Sequence, residues 1–113
     1  MDSTRQQKVS RLIQKELGEV FLLDCRNIVG NVLTSVTMVR VSPDLSSAKV
    51  YLSIFGTKTR EALMEKIVES TKEIRRALGM RIGKQVRIIP QLSFFLDDSF
   101  DYAEKIDLLL KKK

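Results

Sequence analysis

Residues 71–87, TKEIRRALGMRIGKQVR, decide how the chain is read. They carry Lys72, Arg75, Arg76, Arg81, Lys84 and Arg87 against a single acid, Glu73. Around them Ile74 and Leu78 continue a helical stripe that already runs through Leu63, Ile67 and Thr71. Gly79 interrupts that pattern, and a glycine inside a helix costs about 1 kcal/mol relative to alanine. The pattern therefore predicts a kink at Ala77-Leu78-Gly79, where two helices meet with cations on both sides. A new helix N-terminus there would expose backbone N–H groups that favour anions, phosphate included. The plain alternative is a helix ending at Gly79, with basic residues placed to complement its dipole. The stretch alone leaves both readings open.

Working outward toward the N-terminus, the spacing predicts a helix from Lys58 to about Ala77, preceded by two strands. Ala48, Val50, Leu52 and Ile54 alternate with Lys49, Tyr51 and Ser53, a period of two with one face on a core. The valine- and threonine-rich run VLTSVTMVRVS from Val32 has strand composition. Ser42-Pro43-Asp44-Leu45-Ser46-Ser47 supplies turn chemistry between them, so the pair is expected to be antiparallel. Before the strands, Val9, Leu12, Ile13, Leu17, Val20 and Phe21 recur at helical spacing, which predicts a helix from Thr4 to about Asp24. Arg5, Lys8, Arg11 and Lys15 fall on its other side, either as a solvated face or as a row that tracks phosphates.

Working outward the other way, QVRIIPQLSFF returns to period two. Val86, Ile88, Leu92 and Phe94 are expected to point one way, and Arg87, Gln91 and Ser93 the other. Pro90 has no N–H for a ladder, so this strand is expected at an edge or bulged there. Strand, helices and strand make a crossover, for which a right-handed connection is expected. Asp98 or Ser99 caps a predicted last helix over about 99–110, with Tyr102, Ile106, Leu109 and Leu110 on its apolar side and Lys111-Lys112-Lys113 as a basic tail.

At 113 residues and 43% apolar content, residues 1–113 are expected to form one domain with its own core. No run reaches the roughly 20 apolar residues of a membrane span, and the first residues have no signal-peptide pattern. Cys25 is the only cysteine, which excludes an internal disulfide, suits a reducing cytosol and reads as a small hydrophobe. The net charge of +6 is unevenly laid out: residues 72–87 are basic, whereas Asp97, Asp98, Asp101, Glu104 and Asp107 crowd the C-terminal segment. A dipolar, basic molecule favours a polyanionic partner, most often nucleic acid.

The order helix–strand–strand–helix–kink–helix–strand is that of a type II KH domain, an α+β single-strand nucleic-acid fold. The G-x-x-G loop of such domains is missing, and Ala77-Leu78-Gly79 stands at the equivalent place. With Ser42-Pro43-Asp44-Leu45 running into Ala48-Lys49-Val50-Tyr51, and Pro90-Gln91-Leu92-Ser93-Phe94 followed by Asp97-Asp98-Ser99, the chain resembles the ribosome-binding factor A family. The resemblance spans residues 5 to about 110; the stretch between Gly79 and Pro90 is slightly longer than in the family. It implies a KH-like fold with an Ala-x-Gly kink at Ala77 and Gly79, and a monomeric cytoplasmic protein without enzymatic activity, cofactor, metal or membrane. The implied partners are the free, immature 30S ribosomal subunit and its 16S rRNA precursor. The implied role is late maturation, including processing of the 16S 5′ end, with most importance in the cold.

With that resemblance, Arg75, Arg76, Arg81, Lys84 and Arg87 become the expected RNA contacts, followed by Arg5, Lys8, Arg11 and Lys15. Binding would be mostly phosphate neutralisation, with shape rather than base edges giving the address. Three alternatives stay open. A general KH-like RNA binder would lack preference for assembling subunits, and a protein-interaction module would use the acidic C-terminal segment or a sheet edge. An enzyme would lack any histidine base, which leaves only Asp97, Asp98 and Asp101 as conceivable magnesium ligands for nuclease chemistry. Acids at a helix start have the ordinary alternative role of capping it.

Overall fold

The computed structural model describes residues 3–30, 32–55 and 59–97. The helix expected over 99–110, the lysines 111–113 and the strand-ending Gly56-Thr57 lie outside the described residues. The chain begins with helix α1 (Thr4–Glu19), started by a capping box in which Ser3 and Gln6 exchange side-chain and backbone hydrogen bonds. It then widens into a π-helical turn (Val20–Asp24), where the Cys25 N–H donates to the Val20 carbonyl at 2.7 Å, and ends in the short helix α2 (Arg26–Val29). Strands β1 (Leu33–Val41) and β2 (Ser47–Phe55) follow, then helices α3 (Arg60–Glu69) and α4 (Thr71–Ile82), and strand β3 (Gln91–Leu96).

The sheet is ordered β1-β2-β3, with β1 and β2 antiparallel, as their short connection requires, and β3 parallel to β2. Period-two alternation sends Val39, Val41, Ala48, Val50, Leu52, Ile54, Leu92 and Phe94 to one face, where all are buried. Ile13, Leu17, Val20, Phe21, Ile67, Ile74, Leu78 and Ile82 cover them from the helices. Phe21 meets Phe94 edge to face at 6.2 Å. Thr37 is the extra residue of a bulge between the Val36↔Leu52 and Met38↔Tyr51 pairs. Gln14 of α1 donates to both bulge carbonyls, Val36 at 3.2 Å and Thr37 at 3.3 Å, and buried Gln6 donates to Val41 at 2.9 Å. Two glutamines thus fasten α1 along β1.

Two expectations need correction. The helical break lies at Ser70, not at Ala77–Gly79. Thr71 Oγ1 donates to the Val68 carbonyl at 2.6 Å, a local side-chain bond that competes with the backbone ladder and ends α3. A second helix then starts at once and runs unbroken through Ala77, Leu78 and Gly79. Gly79 instead faces the return segment, where a Cβ would stand at contact distance, 3.4 Å, from Ile89 Cγ1.

The other correction concerns residues 85–90, which do not continue the alternation of β3. Ile88 is 66% exposed and Pro90 is buried. The Gln85 and Val86 N–H groups both donate to the Ile82 carbonyl, which turns the chain off the end of α4. Pro90 cannot join a ladder, so β3 starts one residue later, at an edge of the sheet. Its entry is fixed by the Gln91 N–H donating to Ser46 at 2.9 Å.

Candidate nucleic-acid interface

Helix α4 has two working faces. Ile74, Leu78 and Ile82 form the buried one. Lys72, Arg75, Arg76 and Gly79, at spacings of three and four, form another, which makes one wall of an open groove. The opposite wall is Ile89, Gln91 and Leu92 at the start of β3. Among the described residues, no carboxylate lines this groove. Lys72 and Arg76 are exposed and, among the described residues, make no hydrogen bond or ion pair.

Arg75 is held differently. Its Nε donates to the Pro90 carbonyl at 3.1 Å and its Nη2 to the Ile89 carbonyl at 2.5 Å. These are the carbonyls that no strand ladder takes up, so the guanidinium replaces the missing sheet partner. Its charge stays at the groove wall while its fork secures the wall opposite.

Arg81 is not brought together with Arg75 and Arg76. It lies three residues beyond Leu78, beside the buried stripe, and turns toward α1 and the π-helical turn. Its Nε and Nη2 donate to Asp24 Oδ2 and Oδ1 at 2.6 and 3.1 Å, and Glu16 Oε2 stands 3.7 Å from Nη1. The hydrogen bond from Arg81 holds the Asp24 carboxyl below its ordinary range, and Asp24 raises the Arg81 pKa in return. Nearby Cys25 is 1% exposed, and burial pushes its thiol up, with Glu73 and Asp24 adding to the effect. It behaves as a core residue.

Arg5 and Arg87 meet in a second depression, lined also by the start of the 85–90 connector and by Val9, Asp44 and Leu45. Asp44 organises the β1–β2 turn there. It accepts from Ser42 Oγ at 2.7 Å, Ser46 Oγ at 2.8 Å and Ser46 N–H at 3.1 Å, and these bonds pull its pKa down to about 2. Leu45 takes up the positive φ of 62° that closes the turn, a conformation unusual for a side-chain-bearing residue. Lys84 is exposed just past α4, and Lys8, Arg11 and Lys15 are exposed along α1.

Lys72 and Gln91 belong to the groove although sequence reasoning did not choose them. For Lys72 the signal was present, since it stands three, four and seven residues from Arg75, Arg76 and Gly79. For Gln91 there was none, because its place depends on where β3 begins. Among the described residues no cluster of acids, histidines or cysteines could hold a metal, and no helix is long and apolar enough to cross a membrane.

A helix-backed, three-stranded mixed sheet, with a groove beside its edge strand lined by Lys72, Arg75 and Arg76, defines a small α+β domain. The Ribosome-binding factor A family model matches residues 5–110, and the chain belongs to that family. It is 54% identical over 112 residues to ribosome-binding factor A of Cytophaga hutchinsonii, covering 99% of this chain and 84% of that protein. The crystal structure of ribosome-binding factor A from Thermus thermophilus shares the fold with a TM-score of 0.63 at 23% identity, over 80% of this chain and 94% of that one. So does a homology model of the Thermus thermophilus factor fitted into the cryo-EM map of a 30S–RbfA complex, with a TM-score of 0.57 at 22% identity, over 87% and 97% of the two chains.

Proposed function

We propose that this protein binds the free, immature small ribosomal subunit through its 16S rRNA precursor and assists its late maturation, including processing of the 16S 5′ end. It acts as a monomeric binding factor and not as a catalyst. The observation that carries this reading is the groove between α4 and β3, where Lys72, Arg75 and Arg76 converge with no carboxylate among the lining residues. Family membership supplies the ribosomal context. Phosphate oxygens are the fitting occupants: two long exposed cations reach outward, a third charge is fixed at the wall, and Gly79 removes the side chain that would hold a backbone away. Arg5, Arg87 and Lys84 extend the cationic surface past the 85–90 connector, with Lys8, Arg11 and Lys15 along α1. Arg81 contributes to the field while its donors stay on Asp24.

Sedimentation of the protein with free small subunits, whole ribosomes and polysomes, repeated across a salt series, tests the proposal. Association with free small subunits alone is expected, together with its loss in a Lys72→Glu, Arg76→Glu variant. Equal binding to all three particles would make the protein a general RNA binder, and undiminished binding of the double variant would point to protein contacts instead.

A further inference from the structure

The face of the sheet opposite the helices carries its own arrangement of rings and charges. In β1–β2 register Arg40 lies directly across from Lys49, and in β2–β3 register Ser93 completes that row. The next row is Met38–Tyr51–Phe95 across all three strands. Tyr51 and Phe95 stack, with centroids 5.5 Å apart and planes 29° from parallel. Phe95 is 42% exposed and Met38 is 37% exposed, both large values for apolar side chains on a sheet.

Like charges facing each other across two strands destabilise a sheet. Arg40 and Lys49 are both exposed and, among the described residues, neither has an acid partner or a hydrogen bond through its side chain. Among the described residues no acid offsets this repulsion. An anion lying over the pair would relieve it. The two rows stand two residues apart along the strands, roughly 7 Å, so a charge on one row and a flat ring on the other are offered side by side. A nucleotide presents that combination, a phosphate joined to a planar base with two stacking faces.

We infer that this outer sheet face is a second RNA-contacting surface, on which the Tyr51–Phe95 stack takes an unpaired base while Arg40 and Lys49 hold the adjoining phosphates. The inference rests on the RNA-binding reading above, and adds to it a single-stranded contact separate from the groove beside α4. Phe95 lies on the last strand of the sheet, so a base can continue the stack beyond it. The chain's own acidic segment, Asp98 to Asp107, follows β3 directly and is the competing occupant.

The chain has two tyrosines and no tryptophan, so a Tyr102→Phe protein of full length reports on Tyr51 alone. Titrated with a single-stranded oligouridylate of about ten nucleotides, within the range such sites accommodate, its tyrosine emission is expected to be quenched saturably. Phe95→Leu keeps an apolar residue but removes the ring, and is expected to weaken that binding about ten-fold. Arg40→Gln with Lys49→Gln is expected to lower the slope of log K against log[salt] by about 1.4 for two phosphates of a single strand. Circular dichroism and urea unfolding establish that each variant is folded. Emission unchanged at saturating RNA, or unchanged affinity of the folded Phe95→Leu protein, overturns the inference. So does a change in Tyr51 emission without RNA when Asp98, Asp101 and Asp107 become Asn and Glu104 becomes Gln, because the occupant is then the acidic segment. A wild-type chain that fails to sediment with small subunits defeats the ribosomal reading alone, whereas Tyr51 left unquenched by RNA defeats this one alone.

Discussion

Replacing Gly79 with alanine separates the two roles that a glycine can have inside α4. In a continuous helix, alanine is favoured over glycine by about 1 kcal/mol, chiefly because the unfolded chain loses freedom. The added methyl would meet Ile89 Cγ1 at 3.4 Å and Cδ1 at 3.9 Å, the flexible end of a side chain and not backbone. That contact is ordinary van der Waals packing, and burying part of a methyl adds a few tenths of a kcal/mol, offset by a small shift of Ile89. The net expectation is a gain of about 1 kcal/mol. With an unfolding entropy near 2.1 cal/mol/K per residue, a chain of 113 residues gains about 4 °C in Tm. Urea unfolding followed by far-UV circular dichroism should show a raised midpoint with an unchanged slope. A loss of about 1 kcal/mol or more would refute the reasoning, because the methyl would then be overpacked against an Ile89 side chain that cannot shift. The same methyl projects into the groove that Gly79 lines. RNA association should therefore weaken while the fold gains stability, and a variant that improves both would show that the groove floor is not used.

Arg75→Ala strips the Ile89 and Pro90 carbonyls of their donors and is expected to cost about 1.5–3 kcal/mol in urea unfolding, whereas Arg76→Ala should leave stability almost unchanged and weaken association with small subunits. Removing the Asp24–Arg81 pair by Arg81→Gln is expected to lower stability at neutral pH. Because the folded-state pKa of Asp24 is depressed, that contribution is present above the ordinary carboxylate pKa of about 4 and is lost as pH falls through the lower folded value. The difference from wild type in pH-dependent unfolding should thus close as pH falls past the depressed folded-state pKa of Asp24. Ile74→Ala, at a fully buried position beneath the groove, should cost about 2–5 kcal/mol. For binding to small subunits, a slope of log K against log[salt] on the order of −3 to −5 corresponds to about four to six neutralised phosphates, and Lys72→Gln with Arg76→Gln should reduce its magnitude by about 1.5.

The two central strands, their pairing and the buried stripe of each helix were readable because each depends on periodicity within one segment. The placement of the helix break was not. Gly79 carries a propensity penalty visible in sequence, but Ile74, Leu78 and Ile82 bury enough surface to outweigh it, while the Ser70-Thr71 pair ends α3 through one local hydrogen bond. The start of β3 was missed for a related reason: alternation extends through Ile88, yet the carbonyls of Ile89 and Pro90 go to Arg75, a partner fourteen and fifteen residues distant that no local pattern reveals. Among the expected contacts, charge alone did not distinguish Arg76, which is exposed, from Arg81, whose donors are taken by Asp24. That difference depends on how α4 lies against α1. The stacking of Tyr51 on Phe95 was not readable either, because it depends on the parallel register of β2 and β3.

The fork that Arg75 closes on the β3 entry also changes how temperature acts on binding. A long side chain recruited from solvent loses up to about 2 kcal/mol of rotamer freedom when it is fixed, and Lys72 and Arg76 must each bear such a loss. Arg75 has already borne it during folding, so its charge meets an incoming phosphate as part of a rigid wall, preorganised before any encounter. Association through this wall carries a smaller entropic penalty than three mobile cations would, and its strength should vary correspondingly less between warm and cold.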